Sequence, residues 1–214
     1  MQQASAMAPA ASNGALQPFA HNGGTGRSGS DKSYIPNKGK LWHPNRMKIG
    51  DIISVDDTMQ RGYQYKLVAP VGDVQCAKFK PYFSPKEMLR MGVFEGKYCT
   101  DCSNEFPLDW FEEAKFSNRP DPSINYFGVK SRQSLTVWQQ KGWIFGRDPR
   151  GWFQWFCRYY LGRRLGEIDD IQIKRWRAFA RHAGQVRANC QPADVFCRPR
   201  QRQALLQWSY DPLI

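Results

Sequence analysis

The chain has 214 residues, of which 31 are Lys or Arg against 19 Asp or Glu, giving a formal charge of +12 and a pI near 9.6. Aromatic residues make up 14%, and no apolar run approaches the roughly 18 residues that cross a bilayer, which predicts no membrane span. The first residues lack a basic stretch followed by an apolar core, so no secretory signal is expected. The expected setting is intracellular, in the nucleus or another nucleic-acid-containing compartment.

Residues 1–33 are small and polar, and their scattered Leu16 and Phe19 cannot offset the entropy of ordering, so they read as a disordered tail. Gly23 to Ser30 lacks the spacing and the Lys of a phosphate loop. Residues 34–82 read as an extended arm or small β-hairpin, with strands over Asp51–Val55 and Tyr63–Val68. Residues 83–214 read as a helical, Arg- and Trp-rich domain packed with that arm. The expected fold is therefore mainly α with a small β or extended N-terminal part.

Within the helical part, Ser84-Pro85-Lys86-Glu87 is a capping box with Pro at the first helical position, and Gly92 stops the helix. Another short helix is expected to start over Phe106–Phe111, with Glu112 and Glu113 in its middle, and a Pro-rich loop from Asn118 to Asn125. Ser134 caps Leu135–Gln140. Asp148 then reads as an N-cap and Gly162 as the stop of a helix whose Trp152, Trp155, Phe156, Tyr159 and Tyr160 form one aromatic face. Rings at that spacing belong to a core, with a tyrosine or two free to reach the surface. Asp169-Asp170 opens the next helix, with an apolar line Ile173, Trp176, Ala180, Ala183 and Phe179 beside it. Pro199 begins a last helix carrying Leu205, Leu206 and Trp208.

From residue 148 onward, eleven of the twelve cationic residues are Arg, whereas the nineteen before it are mostly Lys. Arg presents a planar fork that grips phosphate with two nitrogens and stacks on rings. Arg158, Arg163, Arg164, Lys174, Arg175, Arg177 and Arg181 are accordingly the candidate phosphate contacts, with Lys174, Arg177 and Arg181 on one helical face. The alternative is a solvated helix face whose stems cover aromatic edges. The partner expected is nucleic acid, DNA or RNA, and not a membrane.

No catalytic constellation is fixed by spacing: Asp101, Glu105, Asp169 and Asp170 are carboxylates without an evident pairing. His182 reads as structural or as a polar contact. Cys99-Thr100-Asp101-Cys102 is a C-x-x-C, but Cys190 and Cys197 are too far off and too widely spaced for a common zinc site. The six cysteines are expected as separate free thiols, with neither metal nor cofactor.

Asp148 to Arg164, Ile173 to Trp176, Cys197 to Ala204, and the segments Phe83–Leu89 and Gly92–Tyr98 together resemble an uncharacterised family of Trp- and Arg-rich helical proteins. That resemblance covers about residues 63–212 and implies one helical domain, but no particular reaction. More distantly, the Trp- and Arg-rich helices are similar to the helical domain attached to hydroxymethyluracil DNA kinases and related thymine-hypermodifying viral enzymes. The expected function is nucleic-acid binding through phosphates. The alternatives are an enzyme acting on nucleic-acid bases and a structural subunit of a larger assembly with basic arms.

Overall fold

The computed structural model describes residues 47–74 and 76–214; the expected tail and residues 34–46 of the arm lie outside the described residues. Two antiparallel strands, β1 (Ile52–Val55) and β2 (Tyr63–Lys66), pair with Ile53 opposite Tyr65. Alternation sends Ile53, Val55 and Tyr65 inward while Ile52, Ser54 and Gln64 face out. Two strands alone are marginal in water, so this hairpin depends on what its inner face touches. No described helix is long and apolar enough to cross a membrane.

Five α-helices follow: α1 (Pro85–Arg90), α2 (Leu135–Gln140), α3 (Trp152–Leu161), α4 (Glu167–Asn189) and α5 (Pro199–Gln207). The fold is mainly helical, as expected. Around α1 the Ser84 hydroxyl accepts from Glu87 N and the Glu87 carboxylate accepts from Ser84 N, closing the capping box. Four short 3₁₀ turns, absent from the sequence reading, fill the stretch between α1 and α2. The helix expected to start at Phe106, with Glu112 and Glu113 in its middle, is only one such turn, Leu108–Trp110.

α3 is the axis of the core. Trp155, Phe156 and Leu161 are fully buried, and Phe79 lies 5.0–5.8 Å from the rings of Trp155, Phe156, Tyr159 and Trp176. Only Tyr160 of the aromatic face reaches partial exposure. The helix starts one turn later than expected: Gly151, not Asp148, is its N-cap. The Asp148 side chain is buried and engaged by arginines, so it cannot turn back to cap. Instead the Gln154 side chain accepts from Arg150 N, and the Tyr98 hydroxyl accepts from Gln154 N.

α4 starts at Glu167, two residues before the expected acidic pair and with Gly166 as its N-cap, and buries Ile173, Trp176, Ala183 and Val186, while Ala180 is exposed and Phe179 takes its place in the line. It packs on α5 and the residues after it. Trp176 donates its indole N–H to Trp208 O at 2.8 Å and stacks on Tyr210 with centroids 4.6 Å apart. The Ser209 hydroxyl exchanges hydrogen bonds with Phe83 N and O, tying this end to the start of α1.

Gly162 ends α3 in a left-handed conformation (φ +111°) and its carbonyl accepts from both Val68 N and Ala69 N. A Cβ there would stand 2.0 Å from Ala69 O. Gly162→Ala should therefore lower stability by at least about 2 kcal/mol, combining left-handed strain with a backbone clash. Gly184→Ala, in an open position on α4, should be neutral or raise stability by up to about 1 kcal/mol. Denaturant unfolding of both variants checks the contrast.

Candidate nucleic-acid interface

The seven residues expected to meet phosphate fall into three groups. Arg158 and Arg163 are a correction: both are buried, at 0% and 1% exposure, and neither can reach a polyanion from there. Arg158 Nε and Nη2 bind the two oxygens of Glu105 at 2.5 and 2.8 Å, and its Nη1 binds Asp148 Oδ1 at 3.1 Å. Its Nη2 also donates to Gln60 Oε1 at 2.9 Å. Arg163 Nη2 takes the other oxygen of Asp148 at 2.7 Å, and Tyr65 donates its hydroxyl to Glu105 at 2.9 Å. Two guanidinium groups and two carboxylates thus balance inside the core, roofed by the rings of Tyr63 and Tyr65 5.1–5.6 Å from the guanidinium carbons. Burial works against the Arg158 cation, but Glu105 and Asp148 more than offset it and hold its pKa above the ordinary value.

Arg164 and Arg175 form the second group, half-buried and used inward. Arg164 donates to the carbonyls of Tyr159, Arg163 and Asp73 and lies 3.8 Å over the Tyr159 ring. Arg175 donates to Trp143 O at 2.8 Å and sits over Phe145. The same internal use accounts for Arg150, which grips Asp57 with two bonds of 3.0 Å and Asp101 with a third. It also accounts for Arg202, whose fork holds the carbonyls of Cys197, Asp194, Pro212 and Ile214. Much of the arginine bias therefore serves to collect orphan carbonyls and carboxylates, work for which five fixed N–H donors suit it.

Lys174, Arg177 and Arg181 are the third group, and the structure brings them together. All three are exposed on one face of α4, with Ala178, Gln185 and Ala188 also exposed along it. At 1.5 Å per residue the three cations span about 10 Å, comparable to about three phosphates along one strand. Residues 171–193 contain no Asp or Glu, and none of the three cations is in an ion pair among the described residues. Glu167 and Asp170 precede this stretch at the helix start. Arg187, Arg198 and Arg200, which were not among the expected phosphate contacts, are exposed at the far end of the α4–α5 hairpin. The acid-free interval was the signal that could have drawn Arg187 in.

That hairpin is closed by a disulfide, Cys190–Cys197, which corrects the expectation of six free thiols. Bridging so short a turn removes freedom from the unfolded chain and holds the end of α4 against the start of α5. Cys99, Cys102 and Cys157 are buried free thiols, with Cys99 hydrogen-bonded to both others. For Cys99 the Cys102 bond favours the thiolate, but the bond with Cys157 and burial outweigh it; all three thiols have raised pKa values.

The candidate carboxylates do not form a pair. Asp169 is a structural acceptor for Trp155 Nε1 at 2.8 Å and Leu165 N at 2.6 Å, and Asp170 is exposed beside it. Glu105 belongs to the buried network. Burial of Asp101 favours its protonated form, but hydrogen bonds from Arg150 and Thr58 outweigh that and hold its pKa below the ordinary value. Burial and the neighbouring Arg181 lower that of His182. Among the described residues no cluster of three or more His, Cys, Asp or Glu is arranged to hold a metal.

No family model matches the chain, and no curated protein or solved structure matches it either.

Arg158→Met leaves Glu105 and Asp148 buried without their main cation and should cost about 3–5 kcal/mol, whereas Arg177→Met should cost under about 0.5 kcal/mol. Equilibrium denaturation reads both. A thiol-titrating reagent should find Cys76 alone in the native protein, Cys99, Cys102 and Cys157 on unfolding, and Cys190 and Cys197 only after reduction. Rapid labelling of a buried thiol in the folded state contradicts that order.

Proposed function

We propose that the protein binds nucleic acid, DNA or RNA, through phosphate contacts on the exposed face of α4. The observation that carries this reading is the stripe Lys174, Arg177 and Arg181: exposed, without ion-pair partners among the described residues, on an acid-free stretch of a chain with a net charge of +12. An unpaired cation on a rigid helix meets a phosphate without first giving up an internal partner, and each contact releases condensed counterions. Small exposed neighbours such as Ala178 and Ala188 let a backbone approach closely. Arg158 and Arg163 enter this reading as supports of the fold that presents α4, not as contacts.

A second reading, an enzyme acting on nucleic-acid bases, is favoured by a hollow of about 460 Å³ lined by Asp56, Asp57, Arg61, Asp101 and Glu105. Its Asp57 and Glu105 are committed to Arg150 and Arg158. Asp101 stays ionised well below neutrality, away from the pKa near working pH that proton transfer favours.

Titration of short duplex and single-stranded DNA and RNA at several salt concentrations tests the first reading. Affinity should fall steeply as salt rises. Each of Lys174→Ala, Arg177→Ala and Arg181→Ala should flatten the slope of log affinity against log salt by about 0.7–0.9. Lys66→Ala, on the exposed side of β2, should leave the slope unchanged. Absence of binding at low salt refutes the reading.

A further inference from the structure

A second hollow, of about 330 Å³, opens between the turn 93–101 and α2. A water molecule's share of liquid is about 30 Å³, so this space is far beyond a packing defect. Its walls include the rings of Phe94, Tyr98 and Trp138, and its polar lining includes Lys97, Asp101 and Arg132. Aromatic walls with a few convergent polar groups are the composition of a small-molecule site.

The backbone that forms one wall is strained. Phe94 (φ 57°, ψ 37°) and Glu95 (φ 61°, ψ 29°) are consecutive left-handed residues, and Cys99 is a third at φ 62°. Each costs about 1–2 kcal/mol relative to ordinary backbone, so neighbours must impose it. They do: Glu95 N donates to Asn125 Oδ1 at 2.8 Å, and Arg132 holds Glu95 Oε2 through Nε at 3.0 Å and Nη2 at 2.9 Å. Strain of this kind gathers where a binding surface needs a shape that relaxed backbone does not supply. Arg132 leaves Nη1 without a hydrogen bond among the described residues, and Glu95 Oε1 is buried with no partner. Among the described residues, Lys97 Nζ bonds only the Thr100 hydroxyl, at 3.1 Å, and is in no ion pair. Asp101 accepts from Thr58 and Arg150 on Oδ2, which leaves Oδ1 for another side-chain or ligand donor.

Taken together, these groups specify a ligand with a flat ring, an N–H donor on its edge and an attached anion. We infer that the hollow is a nucleotide site. The base ring packs against Phe94, Tyr98 and Trp138, Asp101 Oδ1 accepts from a ring or amino N–H, and Lys97 and Arg132 take the phosphate. This deepens the nucleic-acid reading and rests on it for the source of the nucleotide, which is either free or an unstacked base of a bound strand. The chain just after α2 is fastened to α4 by Arg175, which donates to the carbonyls of Trp143 and Gly142 one residue from Lys174. A strand lying on α4 thus passes near the element that carries Trp138.

The test uses the full chain and the fluorescence of 2-aminopurine, which stacking on a ring quenches. Two probes are titrated: the free 5′-monophosphate of 2-aminopurine riboside, and a short single strand carrying one 2-aminopurine. Quenching of either probe is expected, with Trp138→Leu abolishing it and Lys97→Glu weakening binding by about tenfold, the worth of one lost stacking or charge contact. Quenching of the free nucleotide assigns the site to a metabolite, and quenching of the strand alone assigns it to an extruded base. The triple variant Lys174→Ala, Arg177→Ala, Arg181→Ala should weaken the strand and leave the free nucleotide unaffected. A strand that binds with a steep salt slope while neither probe is quenched overturns the pocket and spares the α4 surface. A quenched free nucleotide with no strand binding does the reverse. Quenching that survives both Trp138→Leu and Lys97→Glu also overturns the pocket, and Lys97→Glu decides the matter if Trp138→Leu fails to fold, since Lys97 is exposed.

Discussion

An arginine with no solvent exposure sits at the centre of this molecule, and its neutralisation constrains nearly everything around it. Arg158 projects from α3 into a region where an unpaired cation would cost several kcal/mol. Glu105 arrives from the turn after Cys102, Asp148 from the loop before α3, and Gln60 from the loop between β1 and β2. Tyr65 donates to Glu105 from β2, so the hairpin is fastened to the helical body by the same group. The hairpin has two strands and cannot persist alone; it is kept by Ile53, Val55 and Tyr65 in the core and by this polar knot.

Elements specified by near neighbours could be read from the sequence. The capping box at Ser84, the aromatic stripe of α3 and the stop at Gly162 each depend on residues within a turn or two. The difference between Arg158 and Arg177 could not be read, because it lies in partners far along the chain. Glu105 is 53 residues from Arg158 and Gln60 is 98. The same distance effect moved the start of α3: Asp148 has the chemistry of a cap, but two arginines claim its oxygens. Nothing in residue type announces left-handed backbone at Phe94 and Glu95, since side chains usually avoid it, and the tertiary bonds from Asn125 and Arg132 impose it. The Cys190–Cys197 bridge was missed because the spacing fits no metal motif and the chain offered no oxidising context.

Positive charge in this chain therefore has two uses that composition cannot separate. Arg150, Arg158, Arg163 and Arg202 are internal fasteners, and their charges are answered by carboxylates or backbone oxygens. Lys174, Arg177 and Arg181 face outward with no carboxylate answering them among the described residues. The proposed surface is smaller than the seven residues first singled out, but each remaining member is free to move to a ligand. The strained turn at Phe94 supplies what a flat helix face lacks, a concave space with rings in its wall.

The long loops closed by Arg150, Arg158 and Arg163 have a consequence for the order in which the molecule takes shape during synthesis. Tyr63 is 100 residues from Arg163, to which it is hydrogen-bonded, and Asp57 is 93 from Arg150. A ribosome emits roughly 5–20 residues per second, so the hairpin waits several seconds or more with its inner face uncovered until α3 emerges. Closing loops of this size before any contact rewards them also slows folding of the finished chain. The short strands, with exposed Lys66 and Gln64 along one side, suit that interval, because a charged and brief edge is a poor template for pairing with another chain.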